Sequence, residues 1–225
     1  MGENLGEWFR SGGLFMWPIL VCAVIGAAVS MERLLYLFLR AAINGPVFVA
    51  AIQRHVLDGD LDAAIRLCNA EAGAVLPRVL KAGLIRADRP DQEIRDALEE
   101  GALEVYPLIN RRLSYLPTVA NVATLLGLLG TIQGLIESFQ AVGEADAAAR
   151  SAALAHGIAV SMNATFAGLV IAVPVLVVHA LVASRANAIL DEIDHYSLRL
   201  TNLLLAVRRE RPTTTGGPVL PFPER

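Results

Sequence analysis

Residues Leu113 to Phe139 read LSYLPTVANVATLLGLLGTIQGLIESF, and this stretch decides the fold. From Leu113 to Ile136 it runs 24 residues without a charge, between Arg112 and Glu137. A bilayer core of ~30 Å needs about 20 apolar residues wound as a helix, so the run is long enough to span. It is more than a greasy anchor. Thr124 and Thr131 lie seven apart and share a helix face, which Asn121 and Ser138 extend roughly. Gly127, Gly130 and Gly134 allow a second backbone to come close, and Gly130 with Gly134 has the small-xxx-small spacing of packed membrane helices. Hydroxyls and glycines together on one span point to a packed assembly with a polar path inside it.

Two further uncharged runs flank this one. Ser11 to Met31 gives 21 residues, followed by Glu32 and Arg33. Its amino-terminal flank is not basic and the run is long for a signal peptide, so it reads as a retained membrane helix with Pro18 in its first turns. Ser151 to Ser184 gives 34 residues free of Asp, Glu, Lys and Arg, longer than one bilayer crossing requires. Composition agrees: the 225 residues are 55% hydrophobic with net charge −3. That is too apolar for an ordinary soluble domain and gives no support to nucleic-acid binding.

The predicted organisation is a short amphipathic lead-in over 1–12 and a first transmembrane helix over 13–40. A cytoplasmic helical domain follows over 41–112, then a second transmembrane helix over 113–140 and a short outer loop over 141–152. The third transmembrane helix covers 153–184, a cytoplasmic helical extension 185–209, and a Pro/Gly-rich disordered tail 210–225. The fold class is an all-α integral membrane protein with three spans and long cytoplasmic helical extensions. Within 41–112 the periodic apolar sets are Val47/Val49/Ile52/Val56, Leu61/Ala64/Ile65/Cys68, Val79/Leu80/Leu84 and Ile94/Leu98/Val105/Leu108. Asp58, Asp60 and Asp62 do not make a calcium loop, for want of the remaining ligands and the terminal glutamate. Cys22 and Cys68 lie in unlike surroundings and no disulfide is expected between them.

Basic residues set the orientation. The segments between spans carry, in order, one (Arg10), eleven (Arg33 to Arg112), one (Arg150) and six (Arg185 to Arg225). The positive-inside rule therefore puts the amino terminus outside and the carboxy terminus in the cytoplasm.

No nucleophile elbow, phosphate-cradling glycine loop or His/Cys metal cluster appears, so the sequence does not read as an enzyme and calls for no cofactor. Three unlike spans without internal repeats also argue against a small-solute transporter. The third span is patterned instead. Ser161, Thr165 and Gly168 stand at i, i+4 and i+7, beside a small-residue ridge of Ala164, Gly168 and Ala172, with Asn163 and Pro174 as further departures. His156 and His179 lie near its two ends.

These residues carry a resemblance. GLLGTIQGLIESF, Gly127 to Phe139, and GIAVSMNATFAGLVIAVP, Gly157 to Pro174, resemble the second- and third-span signatures of the MotA/TolQ/ExbB proton channel family. Glu32-Arg33 and the Gly59-Asp60-Leu61 to Ala64 stretch also match, and the likeness runs from about Leu14 to Leu205. The resemblance implies assembly as a ring, a homopentamer around the membrane helices of two copies of a single-span partner of the ExbD/TolR/MotB type. That partner brings a membrane aspartate. The family is expected in the bacterial inner membrane, where proton flow drives mechanical work on an envelope, uptake or motility apparatus. A sodium-driven relative would look similar.

Thr131 and Thr165 match the family's two channel-facing threonines and are expected to line the proton path. Thr124, Ser161, Asn163 and Glu137 are further path or packing candidates, with Glu137 as an outer-end proton collector; Gly127, Gly130, Gly134 and Gly168 are expected to pack helices. Two positions depart from the pattern. Val160 stands where the ExbB and TolQ branch carries a glutamate, and Thr124 where a proline is expected. With no carboxylate between Ser151 and Ser184, an ionisable carrier has to come from the partner, since an unpaired mid-membrane charge costs at least ~2.5–3.5 kcal/mol on insertion scales. The alternative is a non-conducting scaffold of the same fold that holds partner helices.

Overall fold

The computed structural model describes residues 13–41, 43–144, 146 and 148–210. The lead-in over 1–12 and the tail from 211 lie outside the described residues. Every regular element among those described is helical: α1 Met16–Leu35, ending in a π-helical turn Tyr36–Arg40; α2 Gly45–Leu57; α3 Leu61–Ala70; α4 Val75–Ile85; α5 Asp91–Asn110; α6 Tyr115–Glu144; and α7 Arg150–Glu210. They form two compact units, one of residues up to 39 with 110–186, the other of 40–109 with 187 onward.

In the first unit α1 packs along α6 and both meet the first part of α7. The contacts are small against branched. Leu116 and Ala120 of α6 pack with Ala172 and Val175 of α7 and Val29 of α1. Met16 and Ile19 of α1 pack with Ala167, Leu126 and Ile171. Gly26 lets α1 approach, since a Cβ there would stand 2.9 Å from Val175 Cγ2. The outer faces stay apolar and uncovered: Val24 is 63% exposed, Leu125 62%, Met162 65%. A soluble protein would not leave such surfaces wet, whereas lipid or a neighbouring helix covers them at no cost.

At the end of this unit Glu32 pairs with Arg112 and accepts from Arg33 at 3.1 Å, while Arg33 lies over the Tyr36 ring. Arg112 sits in the turn that leads into α6 with φ +59°, a left-handed conformation rare for a side chain larger than Asn.

The second unit has its own core. α2 is capped by Asn44, whose side chain accepts from Val47 N at 3.4 Å, and α3 by Asp60, accepting from Ala63 N at 2.8 Å. Gly59, φ +80°, makes the turn between them possible. Ile52, Val56, Leu80, Leu84 and Ile94 are buried, as are Ile189, Ile193, Leu200 and Leu204 of α7, a stripe at helical spacing. Arg208 holds the α4–α5 turn by donating to Asp88 O at 2.8 Å and Arg89 O at 2.7 Å.

The helix bounds differ from expectation mainly at the ends. The loop between the second and third spans is shorter than 141–152, because α6 runs on to Glu144 and α7 starts at Arg150. Residues 153–184 and 185–209 belong to one 61-residue helix. Pro174 does not end it; helices tolerate an internal proline where neighbouring groups re-satisfy the backbone.

Candidate functional site

α6 and α7 meet along a seam of small residues. On α6 the buried small residues are Ala120, Ala123, Gly127, Gly130, Gly134 and Ser138, spaced by three and four. On α7 the facing residues are Gly168, Ala164, Ser161 and Gly157. The two backbones touch. A Cβ on Gly168 would stand 2.6 Å from Ala123 O, and one on Gly127 would stand 3.0 Å from Ala164 O. A Cβ on Gly130 would meet Ala164 Cβ at 2.6 Å, and one on Gly134 would meet Ser161 Cβ at 2.9 Å. Such close approach is available only to residues without side-chain bulk.

This geometry brings two hydroxyls together. Thr131 of α6 and Thr165 of α7 are hydrogen-bonded to one another through their Oγ1 atoms. Thr165 Oγ1 also lies 3.2 Å from Gly127 O, as does Thr131 Oγ1, and Thr131 Oγ1 is 3.4 Å from Ser161 O. Two hydroxyl protons face four contacts, so at most two of them are hydrogen bonds at once. Both residues are half-buried. Each keeps part of its surface uncovered beside the seam.

The other candidates fall around it. Ser161 is buried and donates to Ile158 O at 2.8 Å, turned back on its own helix. Asn163 is half-buried on α7. Glu137 is exposed and accepts from Gln133 at 2.8 Å, one helical turn away. Thr124 is exposed and donates to Ala120 O at 3.0 Å. It does not join the pair. The face expected from Asn121 through Ser138 divides: Asn121 and Thr124 are exposed, Thr131 is half-buried, and Ser138 is buried in the seam, donating to Gly134 O. Phase accounts for the two ends of that face, though not for Thr124 and Thr131, which stay in register. At about 3.6 residues per turn, the separation between Asn121 and Ser138 leaves them about a quarter-turn apart.

Val160 is half-buried, and a Cβ built on Gly13 would lie 3.6 Å from its Cγ1. Phe15 lies beside Gly130, whose added Cβ would be 3.3 Å from Phe15 Cβ. The entry to α1 therefore abuts the seam near the threonines. Sequence reasoning missed this contact, and missed Ala123, Gly157 and Gly26 as packing positions. The small-residue spacing from Ala120 to Ser138 was the signal that could have found Ala123.

The site is a hydroxyl pair held at a small-residue seam between two membrane-length helices, and its protein is an integral membrane protein with three helices, among the described residues, long and apolar enough to cross a bilayer. A model of the MotA/TolQ/ExbB proton channel family matches residues 69–195, and the chain belongs to that family. It is 30% identical over 205 residues to biopolymer transport protein exbB1 of Vibrio cholerae, covering 90% of this chain and 89% of that one. A putative biopolymer transport protein ExbB homolog of Methanothermobacter thermautotrophicus is 29% identical over 205 residues, 90% of this chain and 71% of that protein. The Tol-Pal system protein TolQ of Haemophilus influenzae is 31% identical over 124 residues, about half of each chain.

Proposed function

We propose that this chain is the ring-forming subunit of a proton-driven stator in the bacterial inner membrane, with its amino terminus outside and its carboxy terminus in the cytoplasm. Five copies surround two copies of a single-span partner of the ExbD/TolR/MotB type, and the assembly converts the proton gradient into mechanical work. The observation that carries the reading is the Thr131–Thr165 hydroxyl pair, half-buried at the α6–α7 seam. A threonine hydroxyl holds no charge at accessible pH, but it orients a carboxyl group or a water by donating or accepting. The carrier is the partner's aspartate, which crosses in neutral form and ionises at a polar exit. Val160, in place of a carboxylate, leaves the ring without a relay of its own in this span, so conduction depends on the partner. Sodium as the coupling ion would use the same oxygens and is separated by replacing one ion gradient with the other.

The competing reading is a non-conducting scaffold that grips partner helices. It draws on one fact: each threonine hydroxyl already has backbone carbonyls within reach in its own protomer. Proteoliposomes holding the ring and its partner, loaded with a pH-sensitive dye, decide between them. Under the stator reading Thr131→Val and Thr165→Val each cut partner-dependent proton flux by about tenfold or more, the effect of removing one oriented hydrogen-bonding group in a dry path. Unchanged flux in both variants refutes it. Flux absent in the parent complex, with the partner still bound, establishes the scaffold.

A further inference from the structure

The second unit carries a feature that ion conduction does not use. Between α5 and the last part of α7 lies a cleft of about 420 Å³. Its floor is Leu98 and Ala102, and its lips are Leu103 and Leu198, which are 61% and 66% exposed. Tyr106 Oη donates to Asp194 Oδ1 at 3.0 Å across the cleft, so the two walls are held at a set width. Ser197 also lines the cleft, with its Oγ turned away and buried. A second, more open concavity continues from the first, sharing Glu99 and Leu103 with it, and is otherwise lined by Asp96, Glu100 and Glu104.

The charges around this surface are one-sided. The side chains lining the two concavities include five carboxylates (Asp96, Glu99, Glu100, Glu104, Asp194) and one guanidinium, Arg95. Of the five, Glu100 has Arg86 at 3.6 Å, Asp194 has the Tyr106 hydroxyl, and Asp96 accepts from the Gln92 amide at 2.8 Å. An apolar trough with an acidic rim between two helices fits a third helix that is apolar on one stripe and basic on its flanks. An anionic lipid headgroup or nucleic acid would be repelled, and an acidic peptide likewise.

We propose that this cleft is a docking site for a cationic amphipathic helix of another protein, with leucine-sized anchors between Leu103 and Leu198 and Lys or Arg side chains against Glu99 and its neighbours. Under the proposed topology the site faces the cytoplasm, but the binding itself does not depend on proton conduction. Failure of the flux assay leaves it standing, and its own failure leaves the stator reading standing.

The test uses the full chain in nanodiscs and two fluorescent helical probes of about 18 residues. Both carry leucine at i, i+4, i+7 and i+11; one has arginine at the flanking positions and the other glutamate. The arginine probe is expected to bind in the micromolar range, and the glutamate probe at least about tenfold more weakly. Raising salt from about 50 to about 500 mM weakens the arginine probe several-fold as the Debye length shrinks. Leu198→Asp and Glu99→Arg each lower its affinity about tenfold, the mark of an interface anchor. Leu198 and Glu99 are both exposed, so neither substitution disturbs the core, and an unchanged melting temperature certifies the fold. Equal binding of both probes, or arginine-probe binding untouched by both substitutions, overturns the proposal. So does a parent ring that falls apart on Leu198→Asp, which would assign the cleft to a second copy of this chain.

Discussion

Gly168→Ala isolates the seam from the threonines. The added Cβ would stand 2.6 Å from Ala123 O and 3.2 Å from Gly127 Cα, both backbone atoms that no rotamer change can move. An ordinary carbon–oxygen contact is about 3.3 Å, so α7 has to retreat by roughly 0.7 Å at this level. Thr165 Oγ1 lies 3.2 Å from Gly127 O, the residue the new methyl touches. The same retreat stretches that contact to about 3.9 Å, beyond hydrogen-bonding distance. Overpacking of this kind costs about 1–3 kcal/mol, against the ~1 kcal/mol that alanine gains over glycine in a helix. Gly143→Ala is the control, because nothing lies within 4 Å of its added Cβ. The expected result is a lower melting temperature in nanodiscs and reduced partner-dependent proton flux for Gly168→Ala, with Gly143→Ala unchanged or slightly more stable. If Gly168→Ala melts with the control and conducts like the parent, the seam does not position the threonine pair.

Other expectations follow from particular contacts. Arg112→Gly relieves the positive φ but loses the pairing with Glu32, whereas Arg112→Ala loses the pairing and keeps the strain; the glycine variant should melt higher than the alanine variant by the equivalent of about 1 kcal/mol, and the reverse order would show that the turn is unstrained. Glu137→Gln alters an exposed side chain, so stability changes by less than about 0.5 kcal/mol; flux falls about two- to threefold at low ionic strength if the acid collects protons, and the difference vanishes in high salt. Burial pushes the Cys68 thiol up to about 11, with Lys81 opposing weakly. Because the folded value lies above the unfolded one, its stabilising effect is complete below about pH 9 and is lost as pH rises through about 11; at about pH 8 the native thiol should resist alkylation that urea-unfolded chain undergoes at once. Burial first, then the Asp194 hydrogen bond and charge, raise the Tyr106 phenol above its usual value. Asp194→Asn should therefore shift the corresponding phenolate absorbance to lower pH, and no shift would mean that the two groups are not in contact in solution.

The three membrane-length helices were legible from charge-free runs alone, because hydrocarbon imposes a length and a composition that few other constraints share. The amphipathic helices between Gly45 and Asn110 were legible from the spacing of residues such as Ile52, Val56 and Leu80, which bury one face. Glycines at Gly127, Gly130 and Gly134 signalled that something approaches closely. The sequence could not say what approaches, since a small residue records only missing bulk. Family likeness singled out Thr131 and Thr165; periodicity alone ranked Thr124 beside them.

What the sequence by itself determined about this protein is its class: an all-helical chain with three membrane-length segments, a charged helical portion, and hydroxyls on two of the spans. Tertiary structure decided which hydroxyls matter to one another. Thr131 and Thr165 are 34 positions apart and meet only because Gly127 and Gly168 let two backbones touch, while Thr124, about two helical turns away on the same helix, turns outward to its own carbonyl. Helical phase fixes where a side chain points on its own rod. Which rod lies opposite, and at what depth, is set by packing, and no single helix encodes that.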